Sequence, residues 1–455
     1  MPAGMRRIFI FLLTWALGGC MTSAYDPGNG DNGGGGSGGS AAGGNGGSGG
    51  GGSGGTSDGN VTYYRDVMPI LQKDCLSCHA SGGAAQPVLD NAASAAAAAS
   101  TIEAAIQSKM MPPFPPAEGC NSYVGERRIS AIDQQTIAAW VAAGAPAGDP
   151  GNAPAPMSGG GVQLGTPDKH LGAGPFTPTY PGSAGANDLY WCFVLDPALG
   201  ANSDLTAMNI VPGQKNEVHH VIVFRDPGGK GSAGQPAGGY ECNGAPGEML
   251  TGWVPGSGPL QLPSGVGMTI SPGDKLLMQV HYHKDPAVAA TPDSTAVDLY
   301  FSPTTTPEHA YVVWAGTPLF TIPANTTGYA VNSTCTVNGS WKLLGVAPHM
   351  HQHATKFSSN IQAASGNACL MNIPRWDFGW QGGYFLQQPV QLAVGDKITT
   401  TCTYDNNTGS QIKFGEATTD EMCFGFLYVV ASAKPTFSGL VNVFGGQNAA
   451  SMCAN

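Results

Sequence analysis

Short segments rich in β-branched and aromatic residues dominate the chain between residues 165 and 455. They include VHHVIVF, KLLMQVHYH, STAVDLYF, AYVVWAG, KITTTCTYD and CFGFLYVVA, with Gly, Pro, Asn and Asp between them. This pattern predicts β-strands separated by turns, and no long stretch has the period of an amphipathic helix. We therefore predict two all-β sandwich domains of the jelly-roll-like kind, at residues 165–305 and 306–455.

Histidines are concentrated in three clusters: His219-His220, His281-x-His283 and His349-x-His351-x-His353. Alternate residues of a strand share a face, so a strand at residues 348–357 would line up the last three imidazoles. His219 and His220 are direct neighbours, and they could bind one ion only if a bulge or sharp twist turned them together. Because neutral imidazole is the commonest protein metal ligand, the clusters predict metal sites; a polar face with buried histidines is the alternative.

One methionine, Met422, lies directly before Cys423 in the segment TTDEMCFGF. Imidazoles with one thioether suit copper that cycles between Cu(II) and Cu(I), since soft sulfur favours Cu(I). Zinc prefers histidine, cysteine and carboxylate ligands. Copper is therefore the expected metal if Met422 is a ligand, whereas composition alone would favour Met422 as part of a strand core.

A second motif, Cys75-Leu76-Ser77-Cys78-His79, lies between a Gly/Ser-rich tether at residues 21–60 and a linker at residues 149–164. Cys-x-x-Cys-His is the attachment motif of c-type heme. The two thiols add to the heme vinyl groups, and the adjacent histidine binds the iron. A zinc site and a redox dithiol are alternatives, but no second cysteine pair lies nearby and no βαβ pattern surrounds the motif.

The other axial ligand is expected in the segment KMMPPF, where a thioether would raise the heme potential. We predict Met111 for this role, with Met110 as its competitor. Helices are predicted at YYRDVMPILQKDC and at SAIDQQTIAAWVAAG, which opens with Ser130 and Asp133 spaced like a capping box. Residues 61–148 resemble small bacterial cytochrome c domains, whose heme loop commonly carries Met-Pro-Pro. The resemblance implies a small all-α cytochrome c domain that holds heme c.

The N-terminus has Arg6 and Arg7, an apolar run, and small residues before Cys20. The run is too short to span a bilayer, so residues 1–20 are predicted to be a signal peptide. Resemblance to a bacterial lipobox implies lipidation of Cys20, with an ordinary signal peptide as the alternative. Met21 in place of Asp favours the outer membrane, facing the periplasm or the surface. A net charge of −11, with only 11% charged residues, argues against a nucleic-acid partner.

The motifs VHHVIVF, MQVHYH, PHMH and DEMC, in this order, resemble those of the copper type II monooxygenases. This family includes peptidylglycine α-hydroxylating monooxygenase and dopamine β-monooxygenase. The segment LPSGVGMTI, residues 262–270, also resembles a stretch of the family. The resemblance implies two sandwich domains that contribute one copper ion each.

Each implied copper ion has three protein ligands. The electron-transfer copper would be held by His219, His220 and His281. The copper that binds oxygen and substrate would be held by His349, His351 and Met422. His283 and His353 match no family ligand, and we expect them behind the ligands or facing solvent.

Eight cysteines remain besides Cys20 and the two of the heme motif. An even number in an exported chain predicts disulfides. The resemblance implies the pairs Cys402–Cys423, which would brace the strand next to Met422, and Cys335–Cys453. The sequence gives no pairing for the other four: Cys120, Cys192, Cys242 and Cys369.

Members of this family insert one atom of O₂ into a C–H bond and reduce the other to water, with two electrons from a small reductant such as ascorbate. The resemblance therefore implies an enzyme with a small organic substrate and an external electron donor, either a redox protein or a small reductant. Because this chain has its own heme motif, we hypothesise that the heme feeds the copper of His219, His220 and His281. The electrons would then pass to the Met422 site.

The substrate pocket departs from the peptide-amidating members. The peptide-amidating members have Arg two residues before the first histidine of the His-x-His pair, where this chain has Ala347. They have Asn and Tyr two and four residues after the methionine, where this chain has Phe424 and Phe426. A substrate carboxylate without an arginine partner would be costly to bury. We therefore predict an apolar or aromatic substrate. The alternatives are a non-catalytic copper and heme lipoprotein for electron transfer or copper handling, and a structural lipoprotein with vestigial sites.

Overall fold

The computed structural model describes residues 61–81, 85–155, 164–182, 187–214, 217–255, 257–284, 291–435 and 437–438. The predicted signal peptide with Cys20, the Gly/Ser-rich tether and Cys453 lie outside the described residues. Within the described ranges, no helix is both long enough and apolar enough to cross a bilayer.

The first part of the described chain forms a helical unit. A π-helical turn at Tyr63–Val67 precedes five α-helices, and a 3₁₀ turn follows at Pro150–Asn152. The helices are α1 (Met68–Asp74), α2 (Leu76–His79), α3 (Ala92–Ala97), α4 (Ala99–Gln107) and α5 (Ala131–Ala142). Their apolar faces meet around the fully buried Trp140. Both predicted helical segments are confirmed, and the Ser130 hydroxyl caps α5 by accepting from the backbone N–H of Asp133 at 3.1 Å.

Among the described residues, ten strands and one 3₁₀ turn (Pro227–Gly229) form the N-terminal sandwich. The strands are β1 (Lys169–Gly172), β2 (Asp188–Leu195), β3 (Ser203–Val211), β4 (Val218–Asp226), β5 (Tyr240–Glu241), β6 (Glu248–Trp253), β7 (Leu260–Gln261), β8 (Val266–Ile270), β9 (Lys275–His283) and β10 (Ala296–Phe301). One sheet has the order β5-β2-β9-β4-β6, and the other β1-β10-β3-β8 with β7 beside β3. Side chains from both sheets, such as Phe193, Met208 and Met278, share one core.

Eleven strands form the C-terminal sandwich. They are β11 (Glu308–Gly316), β12 (Thr321–Ile322), β13 (Thr326–Val337), β14 (Trp341–His349), β15 (Ala354–Ala363), β16 (Gly366–Ile373), β17 (Tyr384–Leu392), β18 (Lys397–Asn406), β19 (Ile412–Lys413), β20 (Phe424–Val430) and β21 (Phe437–Ser438). The sheets have the orders β11-β20-β14-β17 and β16-β15-β18-β13-β21, and β12 pairs with β19. The prediction of all-β sandwich structure after the helical unit is confirmed, while the predicted domain boundaries stay predictions.

The two sandwiches are joined edge to edge. Strands β8 and β11 pair in parallel, with Glu308 opposite Val266 and His309 opposite Gly267. This pairing makes one sheet of nine strands from both sandwiches. Tyr428 and Val430 of β20 also pack in the N-terminal core. The two halves therefore meet through backbone hydrogen bonds and apolar contacts.

The loop between α4 and α5 leaves the helical unit and packs on the C-terminal sandwich. Cys120 forms a disulfide with Cys369 of β16. Tyr123 is fully buried in the C-terminal core, and its hydroxyl donates to the carbonyl of Leu370 at 2.8 Å. The backbone of Tyr123 also forms a β-bridge with Leu386. The helical unit is thus covalently attached to the C-terminal sandwich, which the sequence did not reveal.

Two further disulfides lie within the sandwiches. Cys402–Cys423 is confirmed, and Cys192 pairs with Cys242. Cys335 is disulfide-bonded, but its predicted partner lies beyond the described residues, so that pairing stays a prediction.

Candidate metal centre

A β-bulge brings the two neighbouring histidines of β4 together. Val218 lies opposite Tyr282 of β9 and His220 lies opposite His281, so His219 is an extra residue in the ladder. The extra residue disturbs the alternation of faces, as expected for a bulge. The Nδ1 atoms of His219 and His220 lie 3.3 Å apart. The bulge required by the sequence is present.

The third histidine of this group comes from the neighbouring strand. The Nδ1 atom of His281 lies 3.4 Å from that of His220. Imidazole nitrogens bound to one ion at about 2.0–2.1 Å lie roughly 3.3 Å apart when the geometry is tetrahedral. His219, His220 and His281 therefore offer three converging nitrogen atoms at the spacing that a metal ion needs, and we call them the Nδ1 set.

Asp188, at the start of β2, fixes the tautomer of His281. Its carboxylate accepts a hydrogen bond from His281 Nε2 at 2.9 Å, so the proton is on Nε2 and the lone pair is on Nδ1. The same Oδ1 atom accepts from His283 Nδ1 at 2.7 Å, and Thr418 donates to Oδ2. Burial raises the pKa of Asp188, but these hydrogen bonds outweigh it and hold the pKa below its ordinary range. The structure thus places His283 behind His281, on the shared carboxylate.

The segment PHMHQHATKF is not one continuous strand, so the prediction of three imidazoles on one strand face is wrong. Strand β14 ends at His349, and β15 begins at Ala354. The carboxylate of Glu421 accepts the backbone N–H groups of His351 and His353, at 2.9 and 2.7 Å. These bonds replace strand pairing, and the chain turns there. His353 is only partly buried and no contact joins it to the other histidines.

Two hydrogen-bond acceptors fix the tautomers of His349 and His351. His349 Nδ1 lies 2.7 Å from Gln381 Oε1, and the Gln381 amide nitrogen donates to the carbonyl of Phe378. His351 Nδ1 lies 3.1 Å from the carbonyl of Asp420. Each acceptor requires the proton on Nδ1, which leaves the Nε2 lone pair available for a metal. We call His349 and His351 the Nε2 pair.

The Nδ1 set and the Nε2 pair lie close together. The ring centroids of His220 and His349 are 6.4 Å apart, and those of His349 and His351 are 5.3 Å apart. Phe378 stacks on His219 at 4.9 Å and meets His351 edge-on at 5.9 Å. Histidines contributed by two sandwiches therefore form one histidine cluster at their junction.

Burial keeps these imidazoles neutral. Loss of hydration lowers the pKa of His219 to about 3, that of His349 to about 4 and that of His351 to about 3. Burial also lowers the pKa of His220 well below its ordinary value. Neutral imidazole is the metal-binding form, so the cluster is ready to bind metal at physiological pH.

Met422 lies just before β20 and directly after Glu421, whose carboxylate accepts from the backbone N–H of His351. The disulfide of Cys423 with Cys402 holds the chain on one side of it, and Tyr404 donates to its carbonyl at 2.7 Å. Its side chain is partly buried against an apolar cluster that contains Phe424 and Phe426. Ligation by the Met422 thioether stays a prediction.

An aromatic wall adjoins the Nε2 pair. Phe426 stacks on His349 with ring centroids 5.7 Å apart, and Trp314 packs edge-on against Phe424 and Phe426. Ala347 packs on the same group, two residues before His349. The departures seen in the sequence thus produce an apolar surface beside the histidines.

A separate apolar cavity lies in the helical unit. It is lined by both cysteines of the heme motif, His79, Met111, and residues of both sandwiches, Pro255 and Trp380. His79 Nδ1 lies 2.8 Å from the carbonyl of Pro87, so Nδ1 carries the proton and the Nε2 lone pair is available for iron.

Two thiols and two thioethers line this cavity. Burial raises the pKa of the Cys75 thiol to about 12. Met110 is 49% exposed, whereas Met111 is partly buried. Both methionines line the cavity, and exposure favours Met111 as the ligand. The presence of heme stays a prediction.

Sequence reasoning missed four residues that position the histidines: Asp188, Phe378, Gln381 and Glu421. Glu421 lies in the DEMC motif, which assigned it no role, and the other three belong to none of the motifs. Asp188 is 93 residues from its partner His281. Only the proximity of each carboxylate or amide to a histidine in the folded chain reveals its role.

Known proteins resemble parts of this chain. Residues 309–436 match the family described as copper type II ascorbate-dependent monooxygenase, C-terminal domain. Tyramine beta-hydroxylase of Caenorhabditis briggsae is 26% identical over 251 residues, which cover 50% of this chain and 42% of that protein. Dopamine beta-hydroxylase of Rattus norvegicus is 23% identical over 264 residues (52% and 43%), and that of Canis lupus familiaris is 21% identical over 241 residues (48% and 39%).

The chain thus spans less than half the length of these curated relatives. Among solved structures, the infectious bursal disease virus VP2 subviral particle matches with 10% identity over 59% of this chain and 73% of that chain, but its TM-score of 0.17 carries no argument. The sequence matches confirm the resemblance drawn from the motifs. Residues 309–436, which carry His349, His351 and Met422, are similar to the C-terminal domain of copper type II ascorbate-dependent monooxygenases, which are oxidoreductases that use O₂.

Proposed function

We propose that this protein is a copper-dependent monooxygenase that hydroxylates a C–H bond of a small apolar or aromatic substrate with O₂. One observation carries the proposal. Five buried or partly buried imidazoles, each from a histidine of the Nδ1 set or the Nε2 pair, lie in one cluster beside an aromatic wall. Hydrogen bonds fix three of their tautomers so that the free lone pairs suit metal binding.

The residues of the cluster fit two copper ions with different roles. The Nδ1 set offers three imidazoles, and the Nε2 pair would be completed by the Met422 thioether. Copper bound there would supply one electron per ion and activate O₂. Soft sulfur beside two imidazoles favours Cu(I), the form that reacts with O₂. Gln381 and Asp420 orient the two imidazoles, and the Cys402–Cys423 disulfide limits the movement of Met422.

The aromatic wall supports the proposed substrate class. Phe426 stacks on His349, and its ring packs on Trp314 and Phe424. Ala347, which packs on the same group, offers no charge to pair with a carboxylate. The relatives are named as hydroxylases of tyramine and dopamine, which are small aromatic molecules. An aromatic ring of the substrate would be bound by burial and ring packing. These contacts would orient the substrate and exclude water.

The proposal includes a c-type heme in the helical unit as the electron carrier. Cys75, Cys78, His79 and Met111 surround one cavity with the chemistry that such a heme needs. A heme held by these residues would supply a one-electron carrier for the histidine cluster. Export and lipidation at Cys20, with an outer-membrane location, complete the proposal on sequence grounds.

The test is oxygen uptake by copper-loaded full-length protein with ascorbate and a panel of small aromatic molecules, tyramine included. We expect uptake that depends on the substrate, and a hydroxylated product that carries ¹⁸O from ¹⁸O₂. H351A should abolish it, whereas the matched H353A should not, because only His351 belongs to the cluster. Copper binding without substrate-dependent uptake would contradict the proposal and favour copper handling.

A further inference from the structure

One short segment touches the heme-type cavity and the histidine cluster at the same time. It consists of residues 375–381, Arg-Trp-Asp-Phe-Gly-Trp-Gln, between β16 and β17. We call it the bridging segment. No motif in the sequence analysis assigned it a role.

The cavity end of the bridging segment is held to the helical unit. Trp380 lines the cavity together with His79 and Met111. Arg375 Nη2 donates to the carbonyl of Lys109 at 3.1 Å, just before the methionine loop. The disulfide of Cys120 with Cys369 joins the helical unit to the strand from which the segment emerges. The cavity is therefore held against the segment by covalent and hydrogen bonds.

The other end contacts the histidines directly. Phe378 stacks on His219, and Gln381 accepts from His349 Nδ1 at 2.7 Å. Trp376 is buried and donates from its indole nitrogen to the carbonyl of His351 at 3.2 Å. The bridging segment thus contacts both the Nδ1 set and the Nε2 pair.

The distances within the segment are short. Trp380 and Gln381 are consecutive, so their Cα atoms lie about 3.8 Å apart, and Phe378 and Trp380 are separated by at most about 7 Å of backbone. Electron transfer between buried centres weakens steeply with distance and is favoured by covalent bonds, hydrogen bonds and ring contacts. A covalent and hydrogen-bonded path from the cavity wall to a histidine nitrogen needs only Trp380, one peptide bond and the Gln381 side chain.

We propose that the bridging segment is the electron route from the c-type heme cavity to the histidine cluster, with Trp380 as the entry and Phe378 and Gln381 as the exits toward His219 and His349. The inference rests on the proposed function because it requires both the heme and the copper ions. Each transfer oxidises one ferrous heme to ferric heme and reduces one Cu(II) to Cu(I). The external electron donor, a redox protein or a small reductant, re-reduces the heme before the second transfer. No bond is made or broken, and two transfers supply one turnover.

The test follows the heme and needs neither O₂ nor substrate. Full-length protein that holds ferric heme and Cu(II) is mixed with a photoreductant in the absence of oxygen, and a light flash reduces the heme. The absorbance of the heme then follows its reoxidation. We expect a reoxidation rate that is independent of protein concentration. W380L should slow it by at least an order of magnitude.

Three further variants make the test specific. The matched W191L removes a partly buried indole that packs on Phe176 and is not part of the cavity lining, and it should leave the rate within a factor of two. W380F keeps a ring at the cavity wall and should fall between W380L and the parent. If W380L loses heme or copper, F378L is measured in its place, because Phe378 lies outside the cavity lining. This substitution should also slow the transfer.

Three outcomes would overturn the inference: no heme in the purified protein, no reoxidation of heme by copper, or equal rates in the parent, W380L and F378L. The last outcome, with substrate-dependent oxygen uptake intact under ascorbate, would leave the proposed monooxygenase standing. Conversely, slow transfer in W380L with no oxygen uptake for any substrate would support the route and refute the proposed activity.

Discussion

Asp188 is a residue whose importance comes entirely from where the fold places it. One carboxylate accepts from His281 and His283, and it also accepts from Thr418 of the C-terminal sandwich. It therefore orients one ligand candidate and connects the Nδ1 set with the loop that leads to Met422. A carboxylate behind a metal-binding imidazole also increases the basicity of the ligand nitrogen.

We predict that D188N weakens copper binding at the Nδ1 set by about 10–100-fold, since a neutral amide loses the negative charge that supports His281. Competition with a chromophoric Cu(I) chelator measures the change. The matched control is D298N, because Asp298 pairs with the exposed His170 outside the cluster. Unchanged affinity in D188N would show that the carboxylate does not support the metal.

Met422 is the second residue-scale test. M422L keeps a similar volume but removes the sulfur, so we expect the copper–sulfur signal in X-ray absorption to disappear. Substrate-dependent oxygen uptake should fall by more than the roughly 10–100-fold typical of losing a group behind a ligand. M350L is the control. Met350 lies between His349 and His351 in the sequence, and its side chain is fully buried. A sulfur signal lost in M350L instead would reassign the ligand.

The aromatic wall predicts which substrates are excluded. A glycine-extended peptide carries a carboxylate, and Ala347, Phe424 and Phe426 offer it no charged partner. We expect no amidated product from such a peptide by mass spectrometry, under conditions in which an aromatic substrate is hydroxylated. Detectable amidation would show that a cation elsewhere binds the carboxylate.

At the scale of elements, two irregularities position the histidines. The bulge in β4 turns His219 toward His220, and the end of β14 releases His351 from the sheet. Regular strands would have sent neighbouring histidines to opposite faces. At His351 the loss of regular pairing is compensated by the carboxylate of Glu421.

The loop between α4 and α5 is the element that attaches the helical unit. We predict that C120S/C369S lowers the free energy of unfolding by about 2–5 kcal/mol, because the disulfide closes a very long loop of the unfolded chain. Hydrogen exchange of the helical unit should rise first, since the loop would then be held without a covalent bond, by Tyr123 and by hydrogen bonds such as that of Arg375 with the Lys109 carbonyl. The comparison is C192S/C242S, which cuts a disulfide within one sandwich. Equal hydrogen exchange of the helical unit in the two double variants would contradict this role of the loop.

At the scale of the whole molecule, the nine-stranded sheet sets the distance between the two histidine groups. Because β8 pairs with β11 and Tyr428 packs in the N-terminal core, the sandwiches meet closely enough for His220 to contact His349. The helical unit is held on the same side of the molecule by its loop and by Arg375. Three parts of the chain thereby converge on the bridging segment.

The sequence by itself determined the strand segments, both ends of α5, the need for a bulge at His219, and the residue types of both candidate sites. These features are local: they depend on side-chain alternation, capping and ligand chemistry within a few residues. It misjudged the PHMHQHATKF segment, because the partner that ends β14 is the carboxylate of Glu421, distant in sequence.

Only the tertiary structure decided which groups face one another. The contact of Asp188 with His281, the Cys120–Cys369 pair and the position of Trp380 at the cavity all join residues far apart in the chain. Such contacts depend on the order of strands and on the docking of whole units, which no local pattern encodes. Ligand chemistry can therefore be read from short motifs, whereas the tautomers, the clustering and the route between the sites follow from long-range packing.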